Sequence, residues 1–345
     1  RPRIRGRRRG PGRWPGFALV VKALLVLVLL AVGAGPAAAG ERVRVAYSAI
    51  SGATVPIWVT KDAGLFEKHG LDVELVFVEG GSRNMAALIA GDVALAHLGG
   101  SHVVSGHLAG AGVVILSGVV NRLEYKVMVP RTVTRPEQLR GKKAAVAPIG
   151  GSGYLAMQLA LERWGMAPDR DITLLQIGSQ PIRFQSLKAG AVQAAVLSLP
   201  ATLRAEKAGF TALIDLAANG AEYQQTALAA TRSFIEARPE TVRKFLRAFV
   251  EGIAFLKARK EESLRIMGKY FKSGERDELE ATYNEYALRI VLKKPYPTVR
   301  GLQLVMNELA VKNPRVRDAR PEQFFDLRFL RELDESGFID GLYRP

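Results

Sequence analysis

The sequence predicts an α/β fold of two related lobes, each a mostly parallel sheet flanked by helices, with a helical C-terminal region. Three observations predict it. Short apolar runs alternate with helix-period segments from residue 42 to residue 216. Each run stops at small polar residues, as at Gly80-Gly81-Ser82 and Gly99-Gly100-Ser101. The plan of the first half then restarts: Ala90-Gly91-Asp92-Val93-Ala94 is matched by Ala189-Gly190-Ala191-Val192-Gln193, and Gly80-Gly81-Ser82 by Gly178-Ser179-Gln180.

Taken in order, residues 42–47 alternate with valines and read as the first strand, and 56–68 as a helix that Gly70 ends. Residues 71–78 are the second strand, 84–90 a helix with Ser82 as its N-cap, 93–98 the third strand, and 113–120 the fourth after a helix that reaches residue 108. The second round has strands at 125–129, 143–147, 172–177, 192–197 and 210–216, with helices at 136–139, 154–164, after the loop 178–180 as far as residue 188, and from 200 onward. Residues 226–231 read as a strand that returns to the first lobe. Helices at 240–258, 261–270, 275–290, 298–311 and 321–336 pack round that lobe. The expected organisation is therefore 40–125 with 226–345 as the first lobe, and 126–225 as the second.

Residues 1–39 are expected to be a secretory signal peptide. Seven arginines stand in residues 1–16, an apolar run follows from Phe17 to Val32, and Ala37-Ala38-Ala39 precedes Gly40. The apolar run is shorter than the roughly 20 residues that span a bilayer comfortably. An uncleaved signal would tether the protein. No cysteine follows the run, which excludes a lipid-modified one. The leader holds eight of the 49 basic residues and none of the 33 acidic ones, so the remainder carries +8. That mild excess is scattered and does not imply a nucleic-acid partner. The chain has no cysteine at all, so its core supplies stability without disulfides.

The loops after the strands carry the candidate site. Ser48, Ser51 and Gly52 follow the first strand, Gly81 and Ser82 the second, and Gly100 and Ser101 the third. The second lobe offers Gly151, Ser152, Gly178, Gln180 and Ser198. Ligands of open α/β sheets bind at that carboxyl edge. Glycine lets the backbone come close, serine donates and accepts, and helix starts add partial positive charge, which together suit an oxyanion. Each of these residues also has a plain reading as turn or cap. Trp58 is a candidate cover for an apolar part of the ligand, or a core residue under the loop. Tyr154 and Tyr223 are candidates for the mouth. Arg83 and Arg183 follow candidate loops and would suit a carboxylate or sulfonate, although first-turn arginines more often face water. His97, His102 and His107 lack the spacing of a metal site; His102 alone is a candidate hydrogen-bonding residue. Gly150-Gly151-Ser152-Gly153 lacks the lysine of a nucleotide-binding loop, and no Gly-x-Ser-x-Gly elbow is present.

At this point the chain resembles the solute-binding proteins of ABC importers, in the nitrate, sulfonate, taurine and thiamine-precursor group. The resemblance rests on Pro56-Ile57-Trp58-Val59-Thr60-Lys61-Asp62-Ala63-Gly64-Leu65-Phe66-Glu67-Lys68-His69-Gly70-Leu71-Asp72-Val73-Glu74, on residues 139–146 followed by Gly151-Ser152, and on the stretch from Ala189-Gly190 to Pro200. It covers residues 42–260 well and the helical tail loosely. It implies a two-lobed periplasmic-binding-protein (venus-flytrap) fold, a partner permease with a cytoplasmic ATPase, and no cofactor or activity of its own. The expected role is capture of a small organic anion in the periplasm by a monomer. Alternatives are a thiamine-precursor pyrimidine stacked by Trp58 and Tyr154, or a sensor that feeds no permease. An enzyme of pyrimidine synthesis on the related fold is disfavoured by the missing cysteines and by the leader.

Overall fold

The computed structural model describes residues 40–218, 222–311 and 313–344, with Pro2. The expected signal peptide otherwise lies outside the described residues. β1 (Glu41–Tyr47) opens the chain. α1 (Val55–Asp62) and α2 (Leu65–Lys68) follow where one helix was expected. They part at Gly64, whose φ of +71° lets the chain turn. Next come β2 (Leu71–Phe77), α3 (Gly81–Ala90), β3 (Leu95–Leu98), α4 (Gly100–Gly106) and β4 (Val113–Arg122). α3 begins one residue after Gly80, its N-cap at φ +85°, and not at Ser82, which is exposed and makes no cap bond.

The second round holds β5 (Lys126–Pro130), β6 (Lys143–Val146), α5 (Ser152–Arg163), β7 (Thr173–Gln176), α6 (Gln180–Lys188), β8 (Ala194–Leu197), α7 (Ala201–Lys207) and β9 (Phe210–Asp215). β10 (Glu222–Thr231) starts four residues earlier than the apolar run, at a polar stretch. The tail is α8 (Arg232–Ala237), α9 (Pro239–Ala258), α10 (Lys260–Phe271), α11 (Arg276–Tyr283) with a π turn to Ile290, α12 (Val299–Ala310), α13 (Arg328–Glu335) and α14 (Phe338–Gly341). Pro239 begins α9 at a position where a missing N–H costs nothing.

Two five-stranded sheets result, ordered β2-β1-β3-β10-β4 and β7-β6-β8-β5-β9. The match between halves is exact in topology: β1 corresponds to β6, β2 to β7, β3 to β8 and β4 to β9. In each sheet the fourth position is filled by a strand that runs antiparallel to its neighbours. β10 enters the first sheet directly after the second is complete, and β5 enters the second directly after β4. The chain thus passes from the first sheet to the second after Arg122 and is back in the first at Glu222.

Alternation along β1 decides the layers. Val43, Val45 and Tyr47 face a core built with α1, α2 and α9, where Phe66 stacks on Phe245 at 4.9 Å. Ala46 faces the opposite core, with Val103 and Val104 of α4 and Leu302, Val305 and Met306 of α12. That second cluster continues through Leu123, Tyr125 and Leu216, which lie between the sheets in sequence, and Tyr223 of β10 to Val127, Ala144 and Val146 of the second sheet. A third cluster, including Phe184, Leu187 and Ala205, covers the other face of that sheet.

Candidate functional site

Five strand-to-helix loops meet where the carboxyl ends of the two sheets face each other. They enclose a cavity of about 70 Å³. Larger hollows exist: 470 Å³ beside Arg232 and Asp326 and 330 Å³ between Tyr154 and Leu309 do not gather loops from both sheet edges, and one of about 500 Å³ adjoins this cavity on its outer side. Of the thirteen residues singled out in the sequence, Ser48, Ser51, Gly81, Gly151, Ser152, Gly178 and Gln180 line the small cavity.

The other six do not line it. Trp58 is 1% exposed and stacks on Tyr270 of α10 at 4.5 Å, inside the first core. Gly52 donates its N–H to Leu199 O across the lobes at 3.1 Å and lies against the Tyr286 ring, leaving no room for a side chain. Ser82 borders an outer hollow. Gly100 packs on the Gln224 backbone. Ser101 Oγ donates to Gly150 O at 2.5 Å, again across the lobes. Ser198 is held by Gln180, which accepts its N–H at 2.6 Å and donates to its Oγ at 2.9 Å.

Beyond those thirteen, the cavity is lined by Arg183 and His102, which the sequence offered as further candidates, and by Tyr125, Gln225 and Thr226, which it did not. Arg183, in the first turns of α6, is only 4% exposed, and its Nε and Nη1 have no hydrogen-bond partner. It lies against Gly153, where an added Cβ would sit 3.0 Å from Nη1. Burial pulls the guanidinium down to about 10, opposed by the nearby Tyr125 and Glu79, so it remains charged at neutral pH. His102 is 8% exposed, both ring nitrogens lack partners, and burial pushes it down to about 4, so it is neutral. Tyr125, pushed up to about 12 by burial, pairs with Ser152 Oγ at 3.0 Å. Gln225 and Thr226 reach the cavity from β10.

Behind them stands Glu124, 7% exposed at the first crossover. Its Oε1 accepts from Gln225 Nε2 and from Tyr286 OH, both at 2.6 Å. Burial pushes this carboxyl up to about 7, against the lowering effect of those two bonds. The crossover, the cleft wall and the C-terminal helices therefore share one buried polar junction.

The cleft can hold an anion by one buried cation, helix starts and hydroxyl donors. Neither ring nitrogen of His102 bonds a serine, and among the described residues no cluster of His, Asp or Glu is placed to hold a metal ion. Among the described residues no helix is long and apolar enough to cross a membrane.

Comparison with known proteins agrees with this geometry. The model of the family described as NMT1/THI5 like matches residues 52–263. The chain belongs to that family, and its two-lobed α/β architecture is that of periplasmic binding proteins. A Brucella abortus (strain 2308) protein named as a binding protein is 26% identical over 236 residues, covering 67% of this chain and 72% of that one. The taurine-binding periplasmic protein of Escherichia coli (strain K12) is 28% identical over 202 residues, 57% of this chain and 61% of the relative. The crystal structure of the periplasmic nitrate-binding protein of Synechocystis PCC 6803 superposes with a TM-score of 0.72 at 14% identity, covering 86% of this chain and 89% of that one.

Proposed function

We propose that the chain is the exported solute-binding component of an ABC importer, and that its cleft captures a small organic anion such as a sulfonate, a carboxylate or nitrate. The observation that carries this reading is Arg183: a charged guanidinium, buried at the cavity, with two nitrogens that no group of the protein satisfies. Leaving a buried charge unpaired is costly, and an anion in the cavity removes that cost. Cavity size supports a small solute, since about 70 Å³ is well below the roughly 300 Å³ and more typical of drug-sized ligands. The names of two similar proteins, one taurine-binding and one nitrate-binding, point the same way. Stacking of Trp58 on Tyr270 within the core speaks against the aromatic reading, which relied on that ring. The importer's permease and ATPase are the partners this role requires, and no cofactor enters it.

The test is thermal unfolding of the protein beginning at Glu41 against taurine, alkyl and aryl sulfonates, nitrate, dicarboxylates, aromatic acids and pyrimidines. A saturable rise in Tm for an anion class, lost in Arg183→Met, supports the reading. Stabilisation of about 2.7 kcal/mol is expected at a hundredfold excess over Kd. A response confined to neutral or cationic solutes overturns it.

A further inference from the structure

Among the described residues several contacts tie the lobes together, and three hydrogen bonds do so at the loops round the cleft. Two are neutral, Gly52 N–H to Leu199 O and Ser101 Oγ to Gly150 O. The third is charged. Glu79, in the loop after β2, accepts the Ser179 N–H in front of α6 at 2.7 Å. Ser179 is the N-cap of α6, so a carboxylate of the first lobe occupies a helix start of the second. The fit depends on Gly178: a Cβ there would lie 2.7 Å from Glu79 Cδ, so any side chain would expel the carboxylate.

Its place in the fold gives this bond a role. Outside the inner cavity lies a hollow of about 500 Å³, lined by Glu79, Arg83, Ile149 and Gln176 among others. The two spaces share Gly80, Pro148 and Gly178, and the Glu79–Ser179 bond stands at that shared wall. Two further interlobe ion pairs, Arg204–Glu278 at 2.8 Å and Lys207–Asp277 at 2.6 Å, touch neither space.

We propose that Glu79 is the latch of the cleft mouth, a carboxylate that caps α6 from the opposite lobe and holds the closed form together before any solute is bound. An anion delivered to the cleft then finds this helix start already taken by the protein's own charge, and Arg183 is left as its charge partner. Part of the free energy of closure comes from the protein, which reduces the difference in affinity that a solute must supply.

The chain lacks cysteine, so a pair of introduced ones carries labels uniquely. Ile89→Cys on α3 and Lys188→Cys on α6 are exposed and far from the bond. Nitroxide distances between them are measured on solute-free protein beginning at Glu41. The expected result is a dominant short distance with Glu79 intact, and a shift of the majority to a longer distance in Glu79→Gln and Glu79→Asp, the second being too short to reach. Gly178→Ala gives the same shift by displacing the carboxylate. Circular dichroism establishes that each variant is folded, and the conservative Asp variant keeps the test open if another does not fold. Distance distributions that are unchanged in both Glu79 variants overturn the proposal. Because no solute is present, this outcome is independent of the solute panel: the latch can fail while anion binding stands, and the reverse.

Discussion

The imidazole of His102 rests on Gly81, so closely that a methyl group added there would lie 2.6 Å from Nδ1. One residue opens α3 and the other belongs to α4, so the missing side chain lets two helix starts converge on the cleft. Gly81→Ala is expected to displace the ring, to destabilise the fold by about 1–3 kcal/mol as an overpacked site does, and to weaken solute binding more than tenfold. Urea unfolding and calorimetric titration read the two effects separately.

Arg183 is expected to separate stability from binding. Its charge is held in a site that disfavours it, as the downward displacement to about 10 records. Arg183→Met is therefore expected to leave the solute-free protein as stable as the parent or more so, with Tm unchanged or raised, while abolishing the solute-induced rise. A variant that loses Tm and retains the solute response would assign the guanidinium to packing.

Stability should plateau between about pH 4.5 and 6.5 as far as the four displaced groups control it. Glu124 and Glu308 are pushed up from 4.5 to about 7 and about 8. Above pH 4.5 the unfolded chain releases these protons and the folded chain keeps them, so stability falls until the folded values are passed. His97 and His102 are pushed down from 6.5 to about 4, so stability falls as the pH drops from 6.5 toward 4. The two trends oppose each other inside the window and act alone outside it, at about 1.4 kcal/mol per pH unit per proton. Urea midpoints across pH should show a fall from 6.5 to 8 that Glu124→Gln with Glu308→Gln flattens.

The crossing of α9 over α1 has one permissive residue. A Cβ on Gly252 would lie 2.8 Å from Thr60 Cβ. Gly252→Ala should cost about 1–3 kcal/mol, and Thr60→Ala in the same protein should return part of it, a non-additivity that denaturant melts of both single variants and the double detect.

The strands were legible because β-branched runs ended at glycine and serine, and the repeated Ala-Gly and Gly-Ser punctuation gave both sheets. The start of β10 was hidden, since Glu222-Tyr223-Gln224-Gln225 reads as a loop, yet Gln224 and Gln225 are buried. Gln225 is satisfied by Glu124, a hundred residues away, and no local pattern encodes such a partner. Trp58 likewise acquires its neighbour, Tyr270, only when the tail folds back. Arg183 follows the usual pattern of a solvent-facing first-turn arginine; its burial depends on Gly153 offering no side chain in the facing helix. Loops could be placed from sequence, whereas which of their side chains turn inward is set by contacts between lobes.

The late return of β10 to the first sheet has a consequence for the order of synthesis. β3 and β4 are separated in the finished first sheet by β10, whose residues emerge about a hundred positions after β4. Until then β3 presents a bare hydrogen-bonding edge and β4 has no sheet to join, an interval in which pairing with another chain competes with folding. The first lobe is not a stretch of sequence that can finish alone, whereas every strand of the second sheet has been made by Asp215. A chain arranged in this way gains from being kept unfolded until its last third has been made.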